Sequence, residues 1–378
     1  MPFRPSKILK FTHVYAWQGM AIIVFIGGLS PNGVSRWYTH LFFAGATKGV
    51  REVVGAIPFA IGEWVYFILI ILLIYNIIQW LLNIKNKINQ PFFWKNVLYS
   101  WSRRFAILYV LFELVWGLNY QKNSPAMDFG LQVPSQYTEA QMDSLSLNYI
   151  GQLNETRANL DSLTPNELTP NEMSHPLFDS VITRAIKAYR LAALTYPFLE
   201  YTHPNIKRAT YPRLGDKVGY LAFYQPLTTE AIIRGDLPFY TLPFTICHEM
   251  AHQLGYASES EANFIAYQVA LTSEEPLFKY SMLLQMFTYS QQAQLALIAK
   301  RNDFDAWKKI AARNKQLLSP LVIEDRKKIR AFFQERMGER IPGTEKLYDQ
   351  FLIWNQQAKG IESYNDVLLW ALAKPVAH

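Results

Sequence analysis

The segment Thr245–Tyr267, TICHEMAHQLGYASESEANFIAY, decides the fold of the second half of the chain. It predicts two helices that are joined by a tight turn. Gly255 follows an apolar helical stretch and is expected to end the first helix in a left-handed conformation, which turns the chain back on itself. Ser258 is expected to cap the second helix, with Glu261 three residues later as its capping-box partner.

Two histidines in this segment have the spacing of metal ligands. His248 and His252 are four residues apart, so in a helix both imidazoles lie one above the other on a single face. Two nitrogen donors in this arrangement suit one zinc ion. Glu249 stands beside the first histidine, where it could accept a proton from an activated water. The motif therefore predicts a single catalytic Zn²⁺ with Glu249 as the general base.

A catalytic zinc ion takes three protein ligands and keeps one position open. Two carboxylates after the turn, Glu259 and Glu261, are candidates for the third ligand. We favour Glu259 because Glu261 has a structural role at the start of the helix, and we keep Glu261 as the alternative. Asn263, one turn after Glu259, is expected to orient a ligand by a hydrogen bond.

Apolar residues crowd the first third of the chain, where three stretches approach the length of about 20 residues that a transmembrane helix needs. They cover about residues 11–29, 58–82 and 103–120. The only charged residue of the middle stretch is Glu63, near its start, whereas the outer two stretches contain more polar residues. No small-residue cleavage site follows the first stretch, so we interpret it as a retained anchor. Residues 1–120 are therefore predicted to form a membrane anchor with three transmembrane helices.

Positive charges in the flanking segments predict the orientation of these helices, because lysine and arginine resist translocation. Basic residues without any acidic neighbour separate the second and third spans: Lys85, Lys87, Lys95, Arg103 and Arg104. Others precede the first span, at Arg4, Lys7 and Lys10. A cytoplasmic amino terminus and three spans place the remainder of the chain outside the cytoplasm, with the lipid bilayer as a partner.

Residues 121–378 are expected to form a mostly helical domain with a small β element. The predicted helices cover residues 177–194, 244–254, 259–271 and 275–300. Aromatic and aliphatic residues in 219–227 favour a short strand, and Pro226 indicates a sheet edge or a strand end. The short duplication in residues 163–173, LTPNELTPNEM, is expected to form an exposed loop.

Composition excludes several classes of protein. Cys247 is the only cysteine, so neither a disulfide framework nor a cysteine-rich metal site can form within one chain. The formal net charge of +7 belongs largely to the membrane-flanking segments, and we therefore predict no nucleic-acid partner. The sequence predicts no particular oligomeric state.

Several motifs together resemble the bacterial membrane proteins that share domain of unknown function 3810. They are HEMAHQLGYASESEANF, GYLAFYQPLTTEA, LPFT, IPFAIGE, WGLNY and SYNDVLLWAL. This resemblance covers nearly the whole chain. It implies three amino-terminal spans in a bacterial inner membrane and a zincin-like periplasmic domain, and it implies no known substrate.

A more distant similarity links the segment to the HtpX and CAAX-processing zinc endopeptidases, in which the first acid of an E-x-x-A-D motif is a zinc ligand. The corresponding residues here are E-x-x-A-N at Glu259–Asn263, so the similarity implies Glu259 as a ligand. Asn263 stands where those enzymes have an acid, and the gap after His252 is short. Both are departures from the pattern.

The expected function is hydrolysis of peptide bonds in a peptide or protein substrate by a zinc metallopeptidase. Candidates for contact with the substrate or its oxyanion are Tyr220, Tyr224, His203 and Tyr364. The free edge of the predicted strand could bind substrate backbone as an added strand. The alternative is a catalytically silent, zincin-like membrane protein with a binding or envelope-assembly role. An intramembrane protease is disfavoured, because residues 259–263 are too polar for a lipid-facing span.

Overall fold

The computed structural model describes residues 7–87, 92–160, 175–337 and 367–375. Helices dominate this part of the chain and the strands are few and short, which confirms the prediction of a mainly helical fold with a small β element. The helices of the amino-terminal third are α1 (Lys7–Gly28), α2 (Pro31–Gly33), a π-helical segment (Val34–Phe43), α3 (Ala44–Gly55), α4 (Ile61–Lys87) and α5 (Phe93–Val115).

The later helices belong to the second part of the chain. They are α6 (Pro125–Asp128), α7 (Glu139–Asn159), α8 (His175–Thr195), α9 (Pro212–Val218), α10 (Leu242–Gln253), α11 (Glu259–Thr272), α12 (Pro276–Ala299), α13 (Phe304–Leu317), α14 (Pro320–Met337) and α15 (Val367–Ala371). Turns of 3₁₀ helix cover Gly117–Gln121, Pro197–Leu199 and Phe239–Thr241. The strands are β1 (Leu131–Gln132), β2 (Ile206–Arg208), β3 (Ala222–Gln225), β4 (Glu230–Ile233) and β5 (Lys374–Pro375).

Among the described residues, one helical stretch is long and apolar enough to cross a membrane, Ile61–Leu82 in α4. An 18-residue apolar window within this stretch has no buried residue. A shorter apolar stretch, Tyr15–Gly28, lies in α1, which packs along α5. One of the three predicted spans therefore coincides with a helix that has the length and composition of a span, and the three transmembrane helices stay a prediction.

The end of the third predicted span is wrong. We expected a helix to Tyr120, but α5 ends at Val115 and the backbone breaks at Trp116, where φ is −151°. Residues Gly117–Gln121 then form a 3₁₀ turn with Gly117, Leu118 and Asn119 buried. Tertiary packing of these side chains against the second part of the chain outweighs the apolar pattern that favoured a continuous helix.

The second part of the chain has one large apolar core, and α10 runs through its centre. Helix α10 packs against α8, α11, α12 and β4, while α12 packs along α7. Fully buried side chains such as Met250, Phe264 and Phe287 fill the space between these helices. The four helices predicted at 177–194, 244–254, 259–271 and 275–300 are confirmed by α8, α10, α11 and α12.

A three-stranded sheet with the order β2–β4–β3 lies beside α10. β2 runs parallel to β4, with Ile206 opposite Ala231, and β3 runs antiparallel to it, with Ala222 opposite Ile233. The expected strand is therefore present as β3, and it is an edge strand as predicted. β3 begins later than the predicted strand, because Gly219 (φ 96°) still belongs to the end of helix α9, which we did not predict. The predicted loop at 163–173 lies outside the described residues.

Backbone groups at the ends of α3 and α4 are bound by side chains of the sheet. Glu230 of β4 is buried and accepts hydrogen bonds from the amides of Ile61 and Gly62, at 3.1 and 2.5 Å. Lys207 of β2 donates from Nζ to the carbonyl oxygen of Gly55 (3.1 Å). An acid at a helix amino terminus and a base at a carboxyl terminus both complement the helix dipole. The sheet is thereby fixed to the start of the apolar helix.

We expect Glu230→Ala to destabilise the protein by about 2 kcal/mol, because two backbone donors and a buried hydroxyl lose a charged acceptor. The hydroxyl is that of Thr228, which lies 2.8 Å from Glu230. Chemical denaturation of the detergent-purified protein measures the change. Glu335→Ala, which removes an exposed glutamate of α14, is the matched control and should leave stability unchanged. Equal stability of the two variants would contradict the capping role of Glu230.

Candidate metal centre

Helix α10 is held in place along its whole length. Ser281 of α12 accepts a hydrogen bond from the amide of Phe244 in its first turn (3.0 Å). Tyr189 of α8 donates to the carbonyl oxygen of Cys247 (2.7 Å) in the middle. Gln253 at the end donates to the carbonyl oxygens of Asn205 and Thr229. Three separate elements therefore fix the helix that carries the histidines.

The turn after α10 has the predicted left-handed residue. Gly255 has φ 85°, its amide donates to the carbonyl oxygen of His252 (2.9 Å), and the amide of Tyr256 donates to that of Ala251 (3.2 Å). This pair of bonds is a Schellman motif. A Cβ at Gly255 would lie 3.0 Å from Asn119 Oδ1 and from Thr39 Cγ2, so space as well as conformation favours glycine. The chain reverses, and α11 begins after Ser258, whose Oγ faces the Glu261 amide.

The reversal brings His248, His252 and Glu259 together. Their candidate ligand atoms all lie within 4.8 Å of one another. The two Nε2 atoms are 3.1 Å apart, and His248 Nε2 is 3.1 Å from Glu259 Oε2. Two ligands held at 2.0–2.1 Å on a tetrahedral zinc ion are about 3.3 Å apart, so the observed spacing fits a shared cation.

Hydrogen bonds set which ring nitrogens are free. His248 Nδ1 lies 2.8 Å from Asn263 Oδ1, and His252 Nδ1 lies 2.6 Å from the carbonyl oxygen of Tyr256. Both partners are acceptors, so we assign the proton to Nδ1 in each ring. The Nε2 lone pairs then point toward each other, an arrangement that a bound cation satisfies. Asn263 therefore occupies the supporting position that the sequence suggested.

Burial and neighbouring charges shift the pKa values of both histidines. Burial, together with the charge of the adjacent His248, lowers the pKa of His252 to about 4, so the His252 ring is neutral at pH 7. Burial also lowers the pKa of His248, but hydrogen bonding to Glu259 and the charge of that carboxylate outweigh it and raise the pKa. His248 Nε2 and Glu259 Oε2 are 3.1 Å apart, and a metal would take the place of a proton between them.

Glu249 lies beside this cluster and is buried. Burial raises the pKa of its carboxyl group to about 8, and the charge of Glu259 contributes in the same direction, while His248 opposes it. Its Oε2 has no hydrogen-bond partner among the described residues. A buried carboxyl oxygen without a partner is costly, so a ligand at this position would lower the free energy of the site.

The second candidate carboxylate, Glu261, faces a different set of charges. It is buried, and burial raises its pKa to about 7, an effect that the charge of Lys122 opposes. Lys122 Nζ lies 3.2 Å from the ring centroid of Tyr256, and Tyr256 donates to Asp128 (3.3 Å). The structure thus places Glu259 beside the imidazoles and Glu261 in a neighbouring cluster with Lys122 and Asp128.

Three aromatic residues near the cluster were missed by the sequence reasoning. Trp116 packs edge-on against His252, with ring centroids 5.9 Å apart. Tyr120 and Tyr289 lie near Glu259, and burial raises the pKa of both phenols, with the charge of Glu259 adding to the effect. Both stay protonated and can donate hydrogen bonds. Trp116 and Tyr120 belong to the motif WGLNY, which we had assigned to the third predicted membrane span.

The four residues suggested for substrate or oxyanion contact have different positions. Tyr224 on β3 packs on Trp116 (4.7 Å between centroids), and its hydroxyl has no hydrogen-bond partner among the described residues. Tyr220 packs on Phe223 and lies near four charged residues: Glu63, Asp216, Arg234 and Asp236. His203 lines a surface cavity with Arg190 and Glu200. Tyr364 lies outside the described residues. Of the described three, Tyr224 is the one that the structure links to a site histidine, through Trp116.

Comparison with protein families connects this chain to one group. Residues 38–372 match the family described as "Protein of unknown function (DUF3810)". The match covers most of the chain, and the protein therefore belongs to this family, as its motifs predicted. Comparison with curated proteins gave no match, and comparison with solved structures gave none either.

The two carboxylates give a direct test of the candidate centre. We expect purified Glu259→Ala to lose bound divalent metal, since one of three ligands is removed, and Glu261→Ala to keep it. Elemental analysis by mass spectrometry, with the metal-to-protein ratio of the wild type as reference, measures this. Circular dichroism shows whether both variants fold. Equal metal content in the two variants would exclude Glu259 as the distinguishing ligand.

Proposed function

We propose that this protein is a membrane-anchored zinc metallopeptidase. The observation that carries the proposal is the convergence of two Nε2 lone pairs, the Glu259 carboxylate and the partnerless Glu249 oxygen within two consecutive helices. Two imidazoles and one carboxylate are the ligand set of a common class of catalytic zinc site. Such donors also accept other divalent ions, and we choose zinc because the number of ligands leaves a position for water.

The residues divide the chemistry among them. His248, His252 and Glu259 would hold the metal, and a zinc ion bound there supplies Lewis acidity that makes water acidic near pH 7. Glu249 then accepts a proton from the attacking water and returns it to the leaving amine of the peptide bond. Its buried position suits a group that must exchange a proton near neutral pH.

Two further features support binding of a polypeptide close to these groups. β3 is an edge strand, so its outer backbone groups could pair with an extended substrate. The protonated phenols of Tyr120 and Tyr289, near Glu259, are candidates for donating to the oxyanion. The hydroxyl of Tyr224, next to Trp116, is a third. A zincin-like arrangement, with an edge strand beside the HExxH helix, is part of the proposal.

The proposal also includes the membrane topology. Helix α4 has the length and composition of a span, and we assign α1 and α5 as two further spans with a cytoplasmic amino terminus. The basic residues at the end of α4 and the start of α5, Lys85, Lys87 and Lys95, then lie on the cytoplasmic side, and the metal centre lies on the periplasmic side of a bacterial inner membrane.

We expect Glu249→Gln to bind zinc normally and to lose peptide hydrolysis by about 10²–10⁴-fold, because the amide cannot accept the proton. Digestion of a mixed peptide library, followed by mass spectrometry, measures hydrolysis, and elemental analysis measures zinc. Glu274→Gln, at an exposed position just after α11, is the matched control. A fully zinc-loaded wild type without any Glu249-dependent cleavage would favour the catalytically silent alternative.

The topology is tested with cysteines introduced at two exposed lysines, Lys95 at the start of α5 and Lys309 on α13. In spheroplasts, a membrane-impermeant maleimide should label Lys309→Cys and should label Lys95→Cys only after lysis. The natural Cys247 is buried, so the wild type serves as the unlabelled control. Labelling of Lys95→Cys in intact spheroplasts would refute the assigned orientation.

A further inference from the structure

The helical segment formed by α2, the π-helical stretch and α3 connects α1 to α4 and has two different faces. One face is buried: Val34, Tyr38, Thr39, Phe43, Thr47 and Arg51. Apart from the neighbours Tyr38 and Thr39, successive members are four residues apart, a spacing that keeps them on one face of a helix. We call residues 31–55 the connecting segment.

The buried face of the connecting segment packs on the candidate metal centre. Thr39 donates to Asn119 Oδ1 (3.0 Å), and both side chains touch the space beside Gly255. Arg51 donates to the carbonyl oxygen of Gln253 (3.0 Å), the residue after His252. The segment is therefore in contact with the end of α10 and cannot move independently of it.

The opposite face of the connecting segment is apolar and uncovered. Trp37 and Leu41 each expose 63% of their surface, Val53 exposes 72%, and Phe42 is also exposed. Between them lie small residues in 44–46 and the exposed polar residues His40, Lys48 and Glu52. Arg36 lies over the ring of Trp37 at 5.3 Å. Large apolar side chains beside a tryptophan with an adjacent basic residue are typical of a helix that lies in a membrane interface.

Exposed apolar residues are also present next to the segment in the chain, on both sides. Phe25, Ile26 and Leu29 at the end of α1 are exposed, and so are Phe59 and Phe67 at the start of α4. At the end of α1, Gly28 lies against Gln121, and the amide of Asn123 donates to Ser35 Oγ (2.9 Å) at the start of the segment. At the other end, the paired strands β2 and β4 bind the end of the segment and the start of α4, through Lys207 to Gly55 and through Glu230 to Ile61. A bilayer that surrounds α4 would therefore meet the connecting segment at its surface.

We propose that the connecting segment lies in the bilayer surface, with Trp37, Leu41, Phe42 and Val53 in contact with lipid. The inference rests on the membrane anchoring in the proposed function. Because the other face of the segment binds the end of α10, the metal centre is held directly at the lipid surface and does not project away from it on a linker.

Spin labels at Leu41→Cys and Phe42→Cys test the placement in lipid nanodiscs. Each label should be relaxed efficiently by oxygen and poorly by a water-soluble nickel chelate, which is the signature of lipid. A label at Lys309→Cys on α13 should show the opposite preference, so that the oxygen-to-nickel ratio differs several-fold. The buried Cys247 leaves the parent protein unlabelled. Val53→Cys provides a second position on the same face.

Two results would overturn the proposal. Nickel accessibility at positions 41 and 42 equal to that at 309 would place the face in water. Exclusion of both reagents at these positions would show a protein cover, such as a second copy of the chain. The measurement needs neither metal nor activity, so it is repeated in Glu249→Gln. If Glu249→Gln loses hydrolysis while the labels keep their depth in the membrane, the result bears on the proposed enzymatic activity and leaves the placement of the segment unchanged.

Discussion

The reversal of the chain at Gly255 is the constraint on which the candidate centre depends. Six residues separate His252 from Glu259. Over so short a length, only a tight turn can bring the carboxylate back to the imidazoles. The left-handed glycine closes α10, Ser258 opens α11, and the ligand atoms meet within 4.8 Å. Asn119 and Thr39 fill the space beside this glycine, so elements from the membrane side of the molecule also hold the turn.

The charges around this turn explain why a cation fits it. Three glutamates lie on the two helices that this turn joins: Glu249 on α10, and Glu259 and Glu261 on α11. Glu249 and Glu261 are buried. Burial disfavours ionised carboxylates, and a nearby positive charge offsets this cost. Lys122 acts in this way on Glu261, and His248 lies 3.1 Å from Glu259. Among the described residues Glu249 Oε2 has no hydrogen-bond partner, which leaves it available for a ligand.

Much of the site could be predicted because its determinants are local. Spacing of four residues fixed the shared face of His248 and His252, and capping rules separated the positions of Glu259 and Glu261. Trp116 and Tyr120 could not be assigned in this way. Their contacts with His252 and Glu259 join positions more than 130 residues apart in the chain, and an apolar pattern does not distinguish packing against protein from contact with lipid. The same ambiguity made the third predicted span too long.

The boundary predicted at residue 120 rests on composition, and hydrogen bonds connect the residues on its two sides. Glu230 binds the first amides of α4, Lys207 binds the end of α3, and Arg51 binds the end of α10. Each of these contacts joins a membrane-side helix end to the sheet or to the helix that carries the histidines. A domain on a flexible linker could rotate freely above a bilayer, whereas helix ends bound in this way fix both its height and its orientation. If α4 spans a membrane as proposed, the same hydrogen bonds that stabilise the fold also set the position of the candidate metal centre relative to it.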